Sequence, residues 1–210
     1  ALSEQLTSGC YNIALGDSAG KCTADGKYNI NIGSCAGCNI TSGQLNISIG
    51  LKTGASTSAS TGRCNIFIGN YNGNAITTGC NNIAIGDYAG QATTTGKWNI
   101  SLGLYAGSAC ADAKCWNISL GRCTNLRTYG QCNIAIGENA GQGTAPSSTG
   151  DNTGCDNIFL GTDSGRCITT GNKNVFLGYY AGKCVTSGTD NIAMGCNAGA
   201  KLTTGQRNVL

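Results

Sequence analysis

The chain has 210 residues with 34 Gly, 14 Cys, one Pro and no His, and only 11% of its residues are charged, against roughly 25% charged and about 7% Gly in an average globular protein. The net charge of +3 comes from scattered basic residues, which argues against a nucleic acid or an anionic membrane as the main partner, and no apolar run approaches the roughly 20 residues of a membrane span. Because the chain has no His, it lacks the usual nucleophilic triads and any mixed Cys/His zinc site, and we expect no enzyme, catalytic residue, metal or cofactor.

One phrase recurs along the whole chain. The segment CNNIAIGDYAG at 80–90 reappears as KWNISLGLYAG at 97–107, and alignment on its asparagine gives twelve copies, mostly 17 residues apart. A short fixed period is typical of a solenoid, in which each copy is buried by its neighbours. We therefore predict an all-β fold, a single β-solenoid of about twelve 17-residue coils that spans 1–210.

Each copy begins with a predicted strand. The first residue after the asparagine is Ile or Val, the third is Ile, Leu or Met, and Gly follows. This alternation predicts a strand of about four residues that buries its first and third side chains and turns the second outward. The second residue is mostly small, as at Ala84. We therefore expect an outer stripe that packs against another rod, and expect Ala84→Lys to disrupt bundling without unfolding the protein.

The second half of each copy predicts a corner and a second short strand. An Ala-Gly pair such as Ala89-Gly90 is followed by a weaker apolar position, such as Ile76 in the preceding copy, and then by a Thr/Ser pair and Gly. Departures from the period predict loop insertions near 52–60 and 143–153. The second insertion contains Pro146, the only proline, and is the best candidate for a protruding loop that contacts a partner.

Stacking of the coils makes columns of like residues. The tyrosines Tyr71, Tyr88 and Tyr105 share one position in three consecutive copies, and Trp98 and Trp116 share another. The repeated asparagines predict an amide ladder in which each side chain bonds the next, a structural role rather than a binding site. Its members are Asn29, Asn46, Asn65, Asn82, Asn99, Asn117, Asn133, Asn157, Asn174 and Asn191.

The cysteines follow the same columns. An even number of cysteines in a charge-poor chain suits disulfides in an oxidising compartment, so we expect an extracellular protein, stapled from coil to coil. The candidate pairs are Cys167 with Cys184, Cys64 with Cys80, Cys115 with Cys132, and Cys22 with Cys38. This rule leaves open whether the other six bridge across a coil, link subunits or remain free; they are Cys10, Cys35, Cys110, Cys123, Cys155 and Cys196.

The segment NIAIGDYAG and its copies resemble the Asn-x-x-Ile-Gly-type repeats of trimeric autotransporter adhesin heads and the similar repeats of phage and viral fibre proteins. The resemblance covers the whole chain. It implies an extracellular fibrous or adhesive part on a cell or virion surface.

The two ends of the sequence are complementary in repeat phase, which predicts head-to-tail self-assembly into an extracellular filament; a segment cut from a longer repeat chain is the competing explanation. The partner is then the protein itself, with lateral pairing as a further contact. The expected assembly interface comprises Leu6, Tyr11, Asn12, Leu202, Arg207, Asn208 and Leu210. One alternative is an adhesin or carbohydrate-binding fibre that recognises glycans, and a second is an ice-binding solenoid, suggested by the threonine columns.

Overall fold

A computed structural model describes residues 8–56, 58–92, 94–108, 115–143 and 152–210. In these residues the chain is a single parallel β-solenoid of about ten coils, as the repeat predicts in kind, with one three-residue strand per coil. The second short strand predicted for each coil is wrong in these residues, because its position makes only isolated bridges, such as the one between Ile40 and Ser60. The strands are β1 (Ile13–Leu15), β2 (Ile30–Ile32), β3 (Ile47–Ile49), β4 (Ile66–Ile68), β5 (Ile83–Ile85), β6 (Ile100–Leu102), β7 (Ile118–Leu120), β8 (Ile134–Ile136), β9 (Ile158–Leu160), β10 (Val175–Leu177) and β11 (Ile192–Met194). No helix in the described residues is long and apolar enough to cross a membrane.

The sheet is in register from end to end. Its eleven strands pair in chain order, and like positions meet, as where Phe67 of β4 lies beside Ala84 of β5. The last copy contributes a single bridge between Ile192 and Val209 rather than a strand. In-register stacking follows from the nearly constant period, because each coil returns the chain to the same point one strand spacing further along the axis.

The strand faces the opposite way from the prediction. The second residue of the strand is the buried one, as at Phe67, Ala84 and Phe176, whereas the first and third residues are partly or fully exposed, as at Leu15, which is 65% exposed. The cause is the narrow interior of the coil. A Cβ added at Gly73 would lie 2.7 Å from the Phe67 ring, so the corner directly opposite the strand leaves room for one inward column and not for two columns of Ile and Leu.

The predicted disulfide staples are wrong for the described residues. None of the described cysteines is joined in a disulfide, and Cys110 lies outside the described residues. Cys80 pairs in register with Arg63 and Lys97 rather than with Cys64, which shows how an offset of one position separates two cysteines. Cys167 and Cys184 do share a position, but parallel stacking keeps Cβ atoms near the strand spacing of about 4.8 Å, and a disulfide needs about 3.5–4.5 Å.

The two insertions fall between strands. The extra residues of the third coil lie within 52–60, where the chain returns to the stack through the bridge between Ile40 and Ser60. The second insertion lies between β8 and β9. Most of it, residues 144–151 with Pro146, is outside the described residues, as is the protruding loop expected there.

Candidate functional site

The outward side chains of the sheet form one continuous apolar surface, which we call the aliphatic face. It consists of the first and third residues of all eleven strands, and every one of them is at least partly exposed. The members are Ile13, Leu15, Ile30, Ile32, Ile47, Ile49, Ile66, Ile68, Ile83, Ile85, Ile100, Leu102, Ile118, Leu120, Ile134, Ile136, Ile158, Leu160, Val175, Leu177, Ile192 and Met194. No charged or polar side chain interrupts this surface.

The dimensions of the aliphatic face follow from strand geometry. Ten intervals of about 4.8 Å give a length of about 48 Å, and two columns roughly 7 Å apart give a width of roughly 12 Å with side chains included. The footprint is therefore about 600 Å², at the upper end of the largest apolar patches found on soluble monomers, which are about 300–600 Å². The aliphatic face is therefore a candidate interaction surface.

The ladder asparagines lie directly beside the aliphatic face and hold its strands in register. In a typical member, the backbone N–H and Nδ2 of Asn82 both donate to Oδ1 of Asn65 at 3.0 Å, and Nδ2 also donates to the Gly96 carbonyl at 2.8 Å. All ten asparagines from Asn29 to Asn191 named above are buried. A buried amide with every bond made is costly to move, so the ladder makes the outer columns rigid.

Exposed aromatic side chains lie just before the ladder. Trp98 and Trp116 stack with ring centroids 5.2 Å apart and planes 6° apart, and Tyr11 stacks on Tyr28 at 5.0 Å. The stacked pairs extend the apolar surface beside the strands. The contacting ring faces are occupied by the neighbouring ring, so these pairs give no specific support to sugar stacking.

The opposite border, beyond the strand-ending glycines, is mixed, with exposed Leu51, Leu104 and Tyr179 among polar residues, and an aromatic column lies behind it. The backbone N–H and Nδ2 of Asn70 donate to Oδ1 of Asp87 at 2.9 and 3.2 Å. Further along, Arg122 and Glu138 form an exposed ion pair, and Glu138 raises the pKa of the Arg122 guanidinium. Polar groups therefore border the aliphatic face along part of this side, as at the rim of a protein interface.

The tyrosine column forms as its shared sequence position predicts. Tyr88 lies between Tyr71 and Tyr105, with ring centroids 5.3 and 4.8 Å away. The ammonium group of Lys52 continues the column at 5.6 Å from the Tyr71 ring. These stacks add rigidity along the axis of the rod.

The first threonine of each of several Thr/Ser pairs donates its hydroxyl to a backbone carbonyl. Thr77, Thr169 and Thr186 each donate Oγ1 to a carbonyl of the next coil, at 3.1, 3.0 and 3.2 Å. The hydroxyls therefore serve coil stacking, and their arrangement gives no specific support to ice binding.

The residues of the expected assembly interface lie at opposite ends of the rod. At one end Tyr11 is exposed and Oδ1 of Asn12 accepts hydrogen bonds from Asn29. At the other end Asn208 donates to Asn191, Arg207 is exposed, and Leu202 and Leu210 line an open hollow of about 600 Å³. Leu6 lies outside the described residues. The structure therefore does not bring these residues together within one chain.

The described residues contain no group of three or more His, Cys, Asp or Glu side chains placed to hold a metal. Comparison of the chain with protein-family models, with curated proteins and with solved structures gives no match. The aliphatic face is therefore interpreted from its own geometry. Sequence reasoning missed it because the strand was assigned the wrong orientation, although every residue of the face was recognised as apolar.

Proposed function

We propose that the chain is a structural rod of an extracellular fibre that assembles from copies of itself. The observation that carries this proposal is the aliphatic face, about 48 Å of uninterrupted Ile, Leu, Val and Met on the surface of a rigid rod. Water contact over such an area is unfavourable by roughly 25 cal/mol for each Å². A structural rod that covers this face in the assembled fibre accounts for it.

The partner that best fits the aliphatic face is the same face of a second copy. Both surfaces would be flat and uncharged and would have the same spacing of about 4.8 Å along the rod, so their ridges interdigitate over the full length. Two footprints of about 600 Å² bury about 1,200 Å² in total, the lower bound of a specific, stable interface. The neighbouring exposed rings of Trp98 and Trp116 add to this area.

End-to-end stacking is the second part of the proposal. Each coil offers to the next coil the ladder amide and backbone groups of the kind that it receives from the preceding one, so an exposed coil at one end of a rod is complementary to the exposed coil at the opposite end of another copy. A contact of this type does not close on itself and therefore propagates along a filament.

The Asn-Ile-x-Ile-Gly pattern supports an extracellular location for the rod, because it resembles the repeats of trimeric autotransporter adhesin heads and of phage and viral fibres. Those are fibrous parts of cell or virion surfaces. That this chain forms part of such a surface fibre is our proposal.

Sedimentation equilibrium tests the lateral contact. We expect the wild-type protein to sediment as an assembly of its 21.2 kDa protomer. The double variant Ile85→Lys/Ile136→Lys should sediment at a lower mass, because only end-to-end contacts remain, with an unchanged circular dichroism spectrum. The control is Thr78→Lys, an exposed position away from the face, which we expect to leave the assembly intact. A wild-type protein that stays at protomer mass at high concentration contradicts the proposal.

A further inference from the structure

The lumen, the space between the second strand residues and the corner residues opposite them, alternates between apolar and polar segments. One apolar cluster surrounds Phe67 and Ile76, and a second surrounds Phe159 and Phe176. Polar side chains occupy the lumen before the first cluster and between the two. This alternation is unusual, since a buried polar group destabilises the fold unless it has a partner.

The first polar segment contains several buried polar atoms that have no partner. Asn31 and Ser48 are register neighbours in β2 and β3, and both are fully buried. The amide nitrogen and oxygen of Asn31 and the hydroxyl of Ser48 make no hydrogen bond within the protein, and the same holds for the buried hydroxyl of Thr23 one coil earlier. Donors and acceptors are thus gathered in one segment without protein partners.

The second polar segment surrounds a small cavity. Its volume is about 10 Å³, and its lining includes Ser101, Ser119, Asn125 and Thr128. Nδ2 of Asn125 donates to the Ser119 hydroxyl at 2.9 Å, but the buried Oδ1 of Asn125 has no partner. A cavity of about 10–15 Å³ with polar walls is the size that holds one water molecule.

We infer that both polar segments are hydration sites that hold buried water molecules. Water fits because it donates and accepts at once, and Asn31 leaves both a donor and an acceptor unpartnered. A monovalent cation satisfies only oxygen atoms and leaves the Asn31 amide nitrogen without a partner. The occupant of each site is therefore water, and this assignment does not depend on how the rods assemble.

The apolar clusters close the second site on both sides along the axis and the first site on one side. Phe67 lies between the two polar segments, and Phe159 lies beyond the second, with both rings buried. Water in the second site therefore leaves only when neighbouring coils separate, so its residence time is set by local opening of the solenoid.

Oxygen-17 magnetic relaxation dispersion of the whole chain in solution tests the inference, because it detects water that stays bound longer than the protein takes to tumble. We expect a dispersion in the wild-type protein. Asn31→Leu and Ser101→Val each replace a polar lumen side chain with an apolar one of suitable size, and each is expected to lower the dispersion amplitude about twofold. The control Ser34→Ala, at an exposed serine, leaves the amplitude unchanged.

Three results would overturn the inference: no dispersion in the wild-type protein, an amplitude that neither lumen variant changes, or thermal stability that rises with KCl but not with an equal concentration of a larger monovalent cation. The last result would assign the sites to a bound cation. If Asn31→Leu does not fold, the wild-type dispersion and the Ser101→Val variant still decide the matter.

Discussion

Gly182 lies directly against the ring of Phe176 across the lumen, so that a Cβ on this glycine would lie 2.6 Å from Cγ of the ring. Gly182 also has a φ of 58°, in the left-handed region that favours glycine. The corner glycine thus has two roles, since it permits the turn and makes room for the inward strand residue.

Gly182→Ala is expected to destabilise the fold by about 3 kcal/mol, of which about 1 is backbone strain and the rest is overpacking. Gly199→Ala is the matched control, because its φ is 62° but its nearest neighbours are 3.0 and 3.3 Å from the added Cβ. We expect it to cost only about 1 kcal/mol. Urea unfolding measures both, and equal losses would contradict the role of packing at this corner.

The buried ladder predicts a large effect of a single amide. Asn65→Ala leaves the backbone N–H and Nδ2 of Asn82 and the carbonyl of Gly79 without their partner. We expect a loss of about 3 kcal/mol in the free energy of unfolding. Asn70→Ala is the control, since its coil-to-coil bonds to Asp87 are exposed and water replaces them at a cost below about 1 kcal/mol.

Neighbouring residues of β5 predict opposite outcomes for the same substitution. Ala84 is buried in the lumen, so Ala84→Lys is expected to unfold the neighbouring coils because it buries an unpaired charge. Ile85 is 40% exposed, so Ile85→Lys is expected to preserve the fold and weaken self-association. Circular dichroism and sedimentation together separate the two, and a well-folded Ala84→Lys variant would contradict the orientation of the strand.

The thiol of Cys38 is expected to react slowly. Burial, with a further contribution from the Cys35 and Cys22 thiols, raises the pKa of Cys38 from 9.0 to about 11, and its Sγ donates to the Ser18 carbonyl at 2.9 Å. Because the folded protein holds this proton more tightly than the unfolded chain, the associated stability is fully present below pH 9.0 and is lost as the pH rises through about 11.

Iodoacetamide labelling followed by peptide mapping measures this reactivity. At pH 9.0 we expect Cys38 to be alkylated at least about tenfold more slowly than the exposed Cys184. The rate at Cys38 should keep rising toward pH 11. Equal rates at the lower pH would show that Cys38 is not protected.

Much of the architecture could be predicted from the repeat. The asparagine spacing gives the coil length, and the glycine after Ile85 marks the end of the strand. Like residues at a shared position, such as Trp98 and Trp116, then stack at 5.2 Å. These features depend on the period alone, which the sequence displays directly.

The orientation of the strand could not be predicted from its alternation. Alternation with a period of two residues shows that Ile83 and Ile85 share a face of the strand, but it does not show whether that face is buried. The deciding quantity is the width of the lumen, which is set by contacts such as Gly73 against Phe67 that join residues of different segments. The signal that could have revealed it was the small or aromatic second residue opposite a Gly that recurs in nearly every copy, rather than the hydrophobicity of the strand.

Mass per unit length of the assembled rods, measured by scanning transmission electron microscopy, tests most directly whether the aliphatic face joins copies side by side. A single rod of 21.2 kDa over about 53 Å, eleven strands at about 4.8 Å, has about 4 kDa per nm. The account predicts at least about 8 kDa per nm for the wild-type protein and about 4 kDa per nm for Ile85→Lys/Ile136→Lys. A wild-type value of about 4 kDa per nm would contradict it, because the aliphatic face would then remain uncovered in the assembly.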